Sequence, residues 1–266
     1  MKVYIKPQIK WTEEKIEMLK SEYPLGDKSE LAKKLGIKES TLKDAARRFR
    51  VKSLKDKNFY KLKILFDDTY ISNYWLGFIL ADGFVSQKGQ LSIYLSIKDY
   101  DHISKLAKYL NANLITKKSK TSYGEIQCCG FTSQDSFYGI KFLETFDITK
   151  NKTKTYNSIN PSYVLTKERI IPFLLGFCDG DGCFSKNPKG VASFLKIEVH
   201  NSWIGVLSKI GEFLKSNFNL PYSLITNSRG YADFRICKKS SLKFLKDYAL
   251  NNSIPILERK WNCVEN

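Results

Sequence analysis

Two stretches of the chain are apolar almost without a break, and both stop in the same way. WLGFILADG runs from Trp75 to Gly83 and LLGFCDGDG from Leu174 to Gly182, ninety-nine residues on, each closing with an aspartate and a glycine. Each predicts an apolar helix. Within them Gly77 and Ala81, and Gly176 and Gly180, stand four apart. Small residues at that spacing clear one stripe of a helix for the close approach of another backbone. Trp75, Phe78, Ile79 and Leu80, and Leu174, Phe177 and Cys178, cover the remaining faces and bury into their own surroundings. The two helices are therefore expected to pack on each other along their small stripes.

Behind each apolar helix the period changes to alternation. In QLSIYLSIK, Leu91, Ile93, Leu95 and Ile97 fall on one face and Gln90, Ser92, Tyr94, Ser96 and Lys98 on the other. In the second copy Leu195, Ile197 and Val199 alternate with Lys196, Glu198 and His200. An amphipathic helix follows in each (DHISKLAKYLNANL; WIGVLSKIGEFLKSNF), then another strand pair, a second helix (SFYGIKFLETF; SSLKFLKDYAL) and a basic segment, TKNKTK or LERKW. The repeated order α-β-β-α-β-β-α predicts an α+β fold of two similar lobes with pseudo-twofold symmetry, each with an antiparallel sheet.

Residues 11–51 read differently, as a small all-α unit. Thr12 is a candidate N-cap with Glu13 and Glu14 in the first turn, and Ile16 is spaced to meet Trp11. KSELAKKLG makes a second helix ended by Gly36, and a third from about Glu39 to Arg50 carries Leu42, Ala45, Ala46 and Phe49 on one face and Lys43, Arg47 and Arg48 on the other. The spacing of Ala32, Gly36, Leu42 and Ala45 resembles the helix-turn-helix pattern, whose last helix enters a DNA groove. The expected boundaries are a helix-turn-helix-like domain over 1–56, a charged linker over 57–70, lobe one over 71–160 and lobe two over 161–266.

Charge narrows the partners. Forty-four Lys and Arg against 27 Asp and Glu give a formal net charge of +17, spread along all 266 residues and interleaved with tyrosines. That distribution suits a polyanion held over a long surface, nucleic acid above all. Beside the alternating faces, the hairpin KKSKTSYG offers Lys117, Lys118 and Lys120, with Gln127 on its return, and Arg229 and Arg235 supply charge in the second lobe. Six cysteines form no C-x-x-C pair, so they are expected as buried free thiols in a reducing compartment rather than as a zinc or redox site. Two histidines leave little for a histidine-based nuclease. No long apolar span or signal peptide is legible, so an intracellular protein is expected, cytoplasmic in a bacterial or phage host or else organellar.

If the two apolar helices pack together, their C-terminal ends bring Asp82 and Asp181 to one place. Stability alone does not recommend this. A carboxylate at a helix C-terminus meets the negative end of the macrodipole, and two carboxylates roughly 5 Å apart at an effective dielectric of about 20 repel by about 3 kcal/mol. Divalent cations turn that cost into a site: Asp82, Asp181 and the carbonyls of Ala81 and Gly180 are hard oxygen ligands suited to Mg2+.

With both motifs and the matching downstream order, residues from about 71 to 266 resemble the LAGLIDADG homing endonucleases. The resemblance implies a monomer whose two sheets form a saddle along the major groove of a long, nearly palindromic DNA site. It implies metal binding by Asp82 and Asp181, and cleavage of both strands to short 3′ overhangs, with Mg2+ as cofactor, Mn2+ substituting and Ca2+ supporting binding without cleavage. A lysine near the metals in each lobe carries over to Lys152 and Lys260, with Lys154 and Arg259 adjacent, to polarise water or stabilise charge on the phosphorane. Leu80 stands where many members have an acid, while Asp179 keeps it, a position read as one of packing. The N-terminal unit lies outside that core and resembles accessory DNA-binding domains. Without a His-Asn pair near its end, the chain reads as free-standing or intron-encoded. An intron RNA maturase or a DNA-binding regulator on the same scaffold is the alternative, with intron RNA as its partner in the first case.

Overall fold

The Thr12 backbone is extended and its hydroxyl accepts from the Lys15 N–H, which opens α1 (Glu13–Glu22). α2 (Lys28–Lys34) and α3 (Glu39–Arg48) follow, turned at Gly36 by a φ of +66° that a β-carbon would strain. Leu19, Leu31, Ala32, Leu35, Leu42, Ala45 and Ala46 close a small core, and Trp11 meets Phe49 edge-on. Lys43, Arg47 and Arg48 are exposed on α3. These helices belong to the first of two compact units, Met1–Phe59; the second is Tyr60–Asn266. The structure is a computed structural model and describes residues 11–23, 28–51, 62–121, 124–133, 135–148 and 161–265.

The second unit writes one order twice. α4 (Tyr70–Asp82), β1 (Phe84–Val85), β2 (Leu91–Ser96), α5 (Tyr100–Tyr109), β3 (Ile115–Thr121), β4 (Gly124–Thr132) and α6 (Ser136–Thr145) form the first lobe. α7 (Ile170–Asp181), β5 (Gly182–Lys186), β6 (Ala192–His200), α8 (Ile204–Phe218), β7 (Ser223–Thr226), β8 (Tyr231–Ile236) and α9 (Lys239–Asn251) form the second, and α10 (Glu258–Trp261) follows. Each lobe has a four-stranded antiparallel sheet, ordered β1-β2-β4-β3 and β5-β6-β8-β7. The tandem α+β architecture expected from the periodicity is the one found. Among the described residues no helix is long and apolar enough to cross a membrane.

α4 starts with a reciprocal cap in which Ser72 N–H donates to Thr69 Oγ1 at 3.0 Å and Thr69 N–H to Ser72 Oγ at 2.8 Å. From Ser72 to Ala81 every residue is buried, as is every residue of α7 from Ile170 to Asp179. A helix apolar on all sides is stable only inside a core, and α4 and α7 supply the middle of one continuous core that spans both lobes.

Three details depart from or refine the expectations from the sequence. β2 ends at Ser96, and Ile97–Asp99 form a single 3-10 turn, so Lys98 leaves the strand face assigned to it. In β3 Lys117 lies opposite Cys128, which in turn lies opposite Ser96, so Lys117 shares the face of Ser92, Tyr94 and Ser96. Lys118 and Lys120, opposite Gln127 and Glu125, share the other face. The cysteines also divide: Cys128, Cys129 and Cys178 are buried, Cys183 and Cys237 are exposed, and Cys263 is intermediate. The expectation of uniformly buried thiols fails because Cys183 falls at an outward position of β5, in register with Lys196, and Cys237 lies just past β8.

Candidate functional site

The small stripes meet. A β-carbon at Gly176 would lie 1.9 Å from Tyr74 O, one at Gly77 2.1 Å from Phe173 O, and one at Gly180 2.3 Å from Ala81 Cβ. The helices cross closest at Gly77 and Gly176, each set between backbone atoms of the other helix. Gly180 then meets Ala81 and Asp82 one turn further on in both, so α4 and α7 run in the same direction and end side by side. The Asp82 carboxylate oxygen lies 3.3 Å from the space above Gly180, whose neighbour in the chain is Asp181. Both aspartates are exposed. The glycines after them do not serve a left-handed turn: a β-carbon at Gly83 or Gly182 would lie 2.5 Å from the carbonyl of Ile79 or Cys178 in the same helix. The chain thus turns away just after each aspartate, with the Asp82 carboxylate over the end of α7 and Asp181 exposed at that end.

Lys260 reaches this seam from α10. Its ammonium donates to the carbonyls of Asp179 at 2.6 Å, Gly182 at 2.7 Å, Gly180 at 3.0 Å and Cys178 at 3.3 Å. Four acceptors meet three protons, so the charge is a full cap on the negative end of α7 beside Asp181. Arg259, the adjacent alternative in the sequence, does something else: it forks onto Asp99 at 2.5 and 2.7 Å, tying α10 to the turn before α5. Lys152 and Lys154 lie outside the described residues.

Beneath the seam runs a buried polar chain that periodicity does not announce. Asp179 is 2% exposed and accepts three hydrogen bonds, each 2.7 Å, from Tyr74 OH, the Leu257 backbone N–H and Trp261 Nε1. Burial pushes its carboxyl up to about 6, against the opposing pull of those three donors. Burial and then the Asp179 charge raise the Tyr74 hydroxyl well above the ordinary phenol value. Tyr74 gives its one proton to Asp179, so its 3.0 Å contact with His102 requires His102 Nε2 to carry hydrogen. His102 Nδ1 is then a bare acceptor without a protein partner. Burial, with Lys105 the next cause, lowers His102 to about 3 and keeps it neutral.

The candidate nucleic-acid faces differ between lobes. On the first sheet Ser92, Tyr94 and Thr132 share hydroxyl hydrogen bonds, and the Lys117 ammonium sits 3.3 Å from the Tyr94 ring centroid. Gln90 lies in the turn before β2, and Lys118 pairs with Glu125 at 3.0 Å. On the second sheet Cys183, Lys196, Arg235 and Ser223 form one cross-strand row. Lys196 is 2.9 Å from Glu198 and Arg235 is 2.6 Å from Asp233, so both cations there are paired with acids. His200 Nδ1 contacts Ser202 at the end of β6, and Arg229 is exposed in the β7–β8 turn. Asp233, Tyr74, His102, Asp99 and Trp261 were not singled out by sequence reasoning. The partners of Tyr74, His102, Asp99 and Trp261 lie in other elements, so no local spacing marks them, whereas Asp233 pairs with Arg235 two residues on in its own strand.

Among the described residues no group of three or more His, Cys, Asp or Glu side chains gathers to hold a metal. Two exposed carboxylates at adjoining helix ends nevertheless fit a hard divalent cation whose other ligands are water and phosphate oxygens.

No protein-family model matches the sequence, and no curated protein matches it significantly. Among solved structures, the homing endonuclease I-WcaI bound to its DNA recognition sequence is similar with a TM-score of 0.55 at 17% identity, over 74% of this chain and 87% of that one. The N-terminal LAGLIDADG domain of DUF199/WhiA gives 0.44 at 17% identity over 68% and 82%. I-SmaMI bound to uncleaved DNA in the presence of calcium ions gives 0.45 at 13% identity over 70% and 86%. At these identities the likeness is one of fold, and the fold is that of the LAGLIDADG proteins.

Proposed function

We propose that this chain is a site-specific double-stranded DNA endonuclease of the homing type, encoded with a mobile intron and acting as a monomer. The observation that carries the reading is the parallel seam of α4 and α7, which ends in an exposed aspartate from each lobe. Packing energy gives no reason to expose two carboxylates at two negative helix ends, whereas metal-assisted phosphodiester hydrolysis needs that arrangement. I-WcaI, a homing endonuclease bound to its DNA recognition sequence, has the same fold and supports duplex DNA as the substrate.

On this reading Asp82 and Asp181 hold Mg2+, or Mn2+ in its place, which supplies Lewis acidity and a more acidic bound water. The Ala81 and Gly180 carbonyls lie beside them. Lys260 contributes a fixed positive charge at the α7 terminus, and Lys152 is the corresponding lysine proposed for the first lobe. Ser92, Tyr94, Ser96 and Lys117 on one sheet, and Lys196 and Arg235 on the other, contact a long pseudo-palindromic site, which is cut to short 3′ overhangs. Lys43, Arg47 and Arg48 of the N-terminal unit add groove or phosphate contacts.

The test is cleavage selection from a randomised duplex library with Mg2+, followed by sequencing of the ends. Wild type is expected to yield one long site. Asp82→Asn and Asp181→Asn are each expected to abolish double-strand cleavage while leaving binding to the recovered site intact. Full cutting by either variant removes aspartate-held metal from the mechanism. Sequence-specific binding without cleavage by wild type would assign the scaffold to regulation, and stimulated splicing of a host intron would assign it to RNA maturation.

A further inference from the structure

From the hydrogen bonds around Asp179 we infer that this residue, though buried beneath the seam, is the positioning residue that holds Lys260 at the end of α7; the inference rests on the nuclease reading above. The lysine belongs to a short segment otherwise remote from the motif helices in sequence. Besides the Arg259–Asp99 fork, two bonds to one carboxylate fix it, one on either side of Lys260. Leu257 N–H donates to Asp179 Oδ2 and Trp261 Nε1 donates to Oδ1, both at 2.7 Å. Residues 257 and 261 bracket position 260, so Asp179 grips the α10 turn at both ends.

The grip and the cap form one closed device. Asp179 holds α10 with its side chain, and its own carbonyl accepts from the ammonium of the lysine so held, at 2.6 Å. The carboxylate is in turn oriented from the other lobe, because Tyr74 OH donates to Oδ2 at 2.7 Å. Trp261 packs its ring edge-on against Phe184 of β5, so the indole cannot swing without disturbing the strand that leaves Asp181. Among the described residues the device belongs to α7: Leu80 occupies the corresponding place in α4, where an alkyl side chain offers no acceptor. The two halves of the centre are therefore built unequally, and the half at Asp181 depends on a carboxylate that never reaches solvent.

Asparagine at this position keeps the shape and loses the chemistry. One amide oxygen remains to accept, and the NH2 group must face either the indole N–H or the Leu257 N–H, so one end of α10 is released whichever way the amide turns. Trp261→Phe releases the indole end alone and keeps an aromatic ring against Phe184.

The experiment compares Asp179→Asn, Trp261→Phe, Lys260→Met and the double variant Asp179→Asn/Lys260→Met on the duplex recovered by cleavage selection. Asp179→Asn and Trp261→Phe are expected to lower the single-turnover cleavage rate by about 10- to 100-fold, as the loss of supporting hydrogen bonds does at other metal centres, with DNA affinity held within about two-fold. The decisive readout is non-additivity. If Asp179 acts through Lys260, the double variant is no slower than Lys260→Met; a general loss of packing would instead multiply the two effects. Two readouts need no cleavage. Trypsin should cut wild type slowly after Lys260 and the Asp179→Asn variant at least about 10-fold faster, and the Trp261 indole N–H resonance should move upfield in that variant as its hydrogen bond is lost. Unchanged proteolysis and an unmoved indole resonance would overturn the inference, as would multiplicative rates. Should wild type cut no DNA while the proteolysis and indole results appear as expected, the positioning device stands and the nuclease reading fails.

Discussion

Alanine at Gly176 tests the interlocked helix seam most directly. Its β-carbon would come 1.9 Å from Tyr74 O, 2.8 Å from Tyr74 C and 2.9 Å from Phe78 N, all backbone atoms that no rotamer change can move. An acceptable carbon–oxygen contact is about 3.3 Å, so α4 and α7 must part by roughly 1.4 Å at this level. Overpacking in a filled core typically costs about 1–3 kcal/mol. Here the separation also thins dispersion contacts along both helices and stretches the Tyr74–Asp179 bond, so about 3–5 kcal/mol is expected. For a unit of this size that corresponds to a fall in Tm of roughly 10 °C. Thermal melting by circular dichroism and urea denaturation by tryptophan fluorescence both read it. Gly205 in α8 supplies the opposite sign: nothing lies within 4 Å of its β-carbon position, so Gly205→Ala should stabilise by about 0.5 kcal/mol through helix propensity alone. A Gly176→Ala protein melting within about 2 °C of wild type would refute the close parallel packing, and with it the convergence of Asp82 and Asp181.

Two further outcomes follow from particular contacts. His102 is held near 3 when folded and titrates at its ordinary 6.5 when unfolded, so the unfolded chain binds the extra proton. Its contribution to stability is present above about 6.5 and is lost as pH falls toward 3, by up to about 1.4 kcal/mol per pH unit, and the difference in denaturation midpoint between wild type and His102→Leu should shrink along that window. Asp179, raised to about 6, works the other way, its contribution being lost as pH rises through that value, so the comparison with the variant rather than the bare wild-type curve is the measurement. Lys117→Ala should weaken binding of the selected duplex and reduce the slope of log K against log salt by about 0.9, whereas Lys118→Ala, on the opposite strand face and paired with Glu125, should leave both nearly unchanged. Equal effects of the two substitutions would show that the sheet does not present the Ser92–Tyr94–Lys117 face to DNA.

The sequence by itself determined whatever depends on near neighbours along the chain. Four-residue spacing of Gly77 with Ala81 and Gly176 with Gly180, the switch from helical period to alternation at Gln90, and the repetition of the whole order after ninety-nine residues were enough to place two lobes, two sheets and a shared helix seam. The two acidic ends were legible for the same reason: each is a local anomaly, a charge at the wrong end of an apolar helix. Alternation alone runs on through Lys98 because a 3-10 turn leaves no mark in a two-residue period, and where a hairpin crowds three lysines it does not tell which of them share a face.

Only the tertiary structure decided what the polar groups around that seam are for. Asp179 meets donors 78, 82 and 105 residues away in the chain, and Lys260 meets carbonyls 78 to 82 residues back. No periodicity connects such pairs, because their geometry exists only once two helices have closed to backbone contact and a distant segment has docked across them. Burial then sets their meaning. The same carboxyl that in water would be one more acid becomes, at 2% exposure, a group whose oxygens must each find a donor, and two of its three donors come from the segment that bears Lys260.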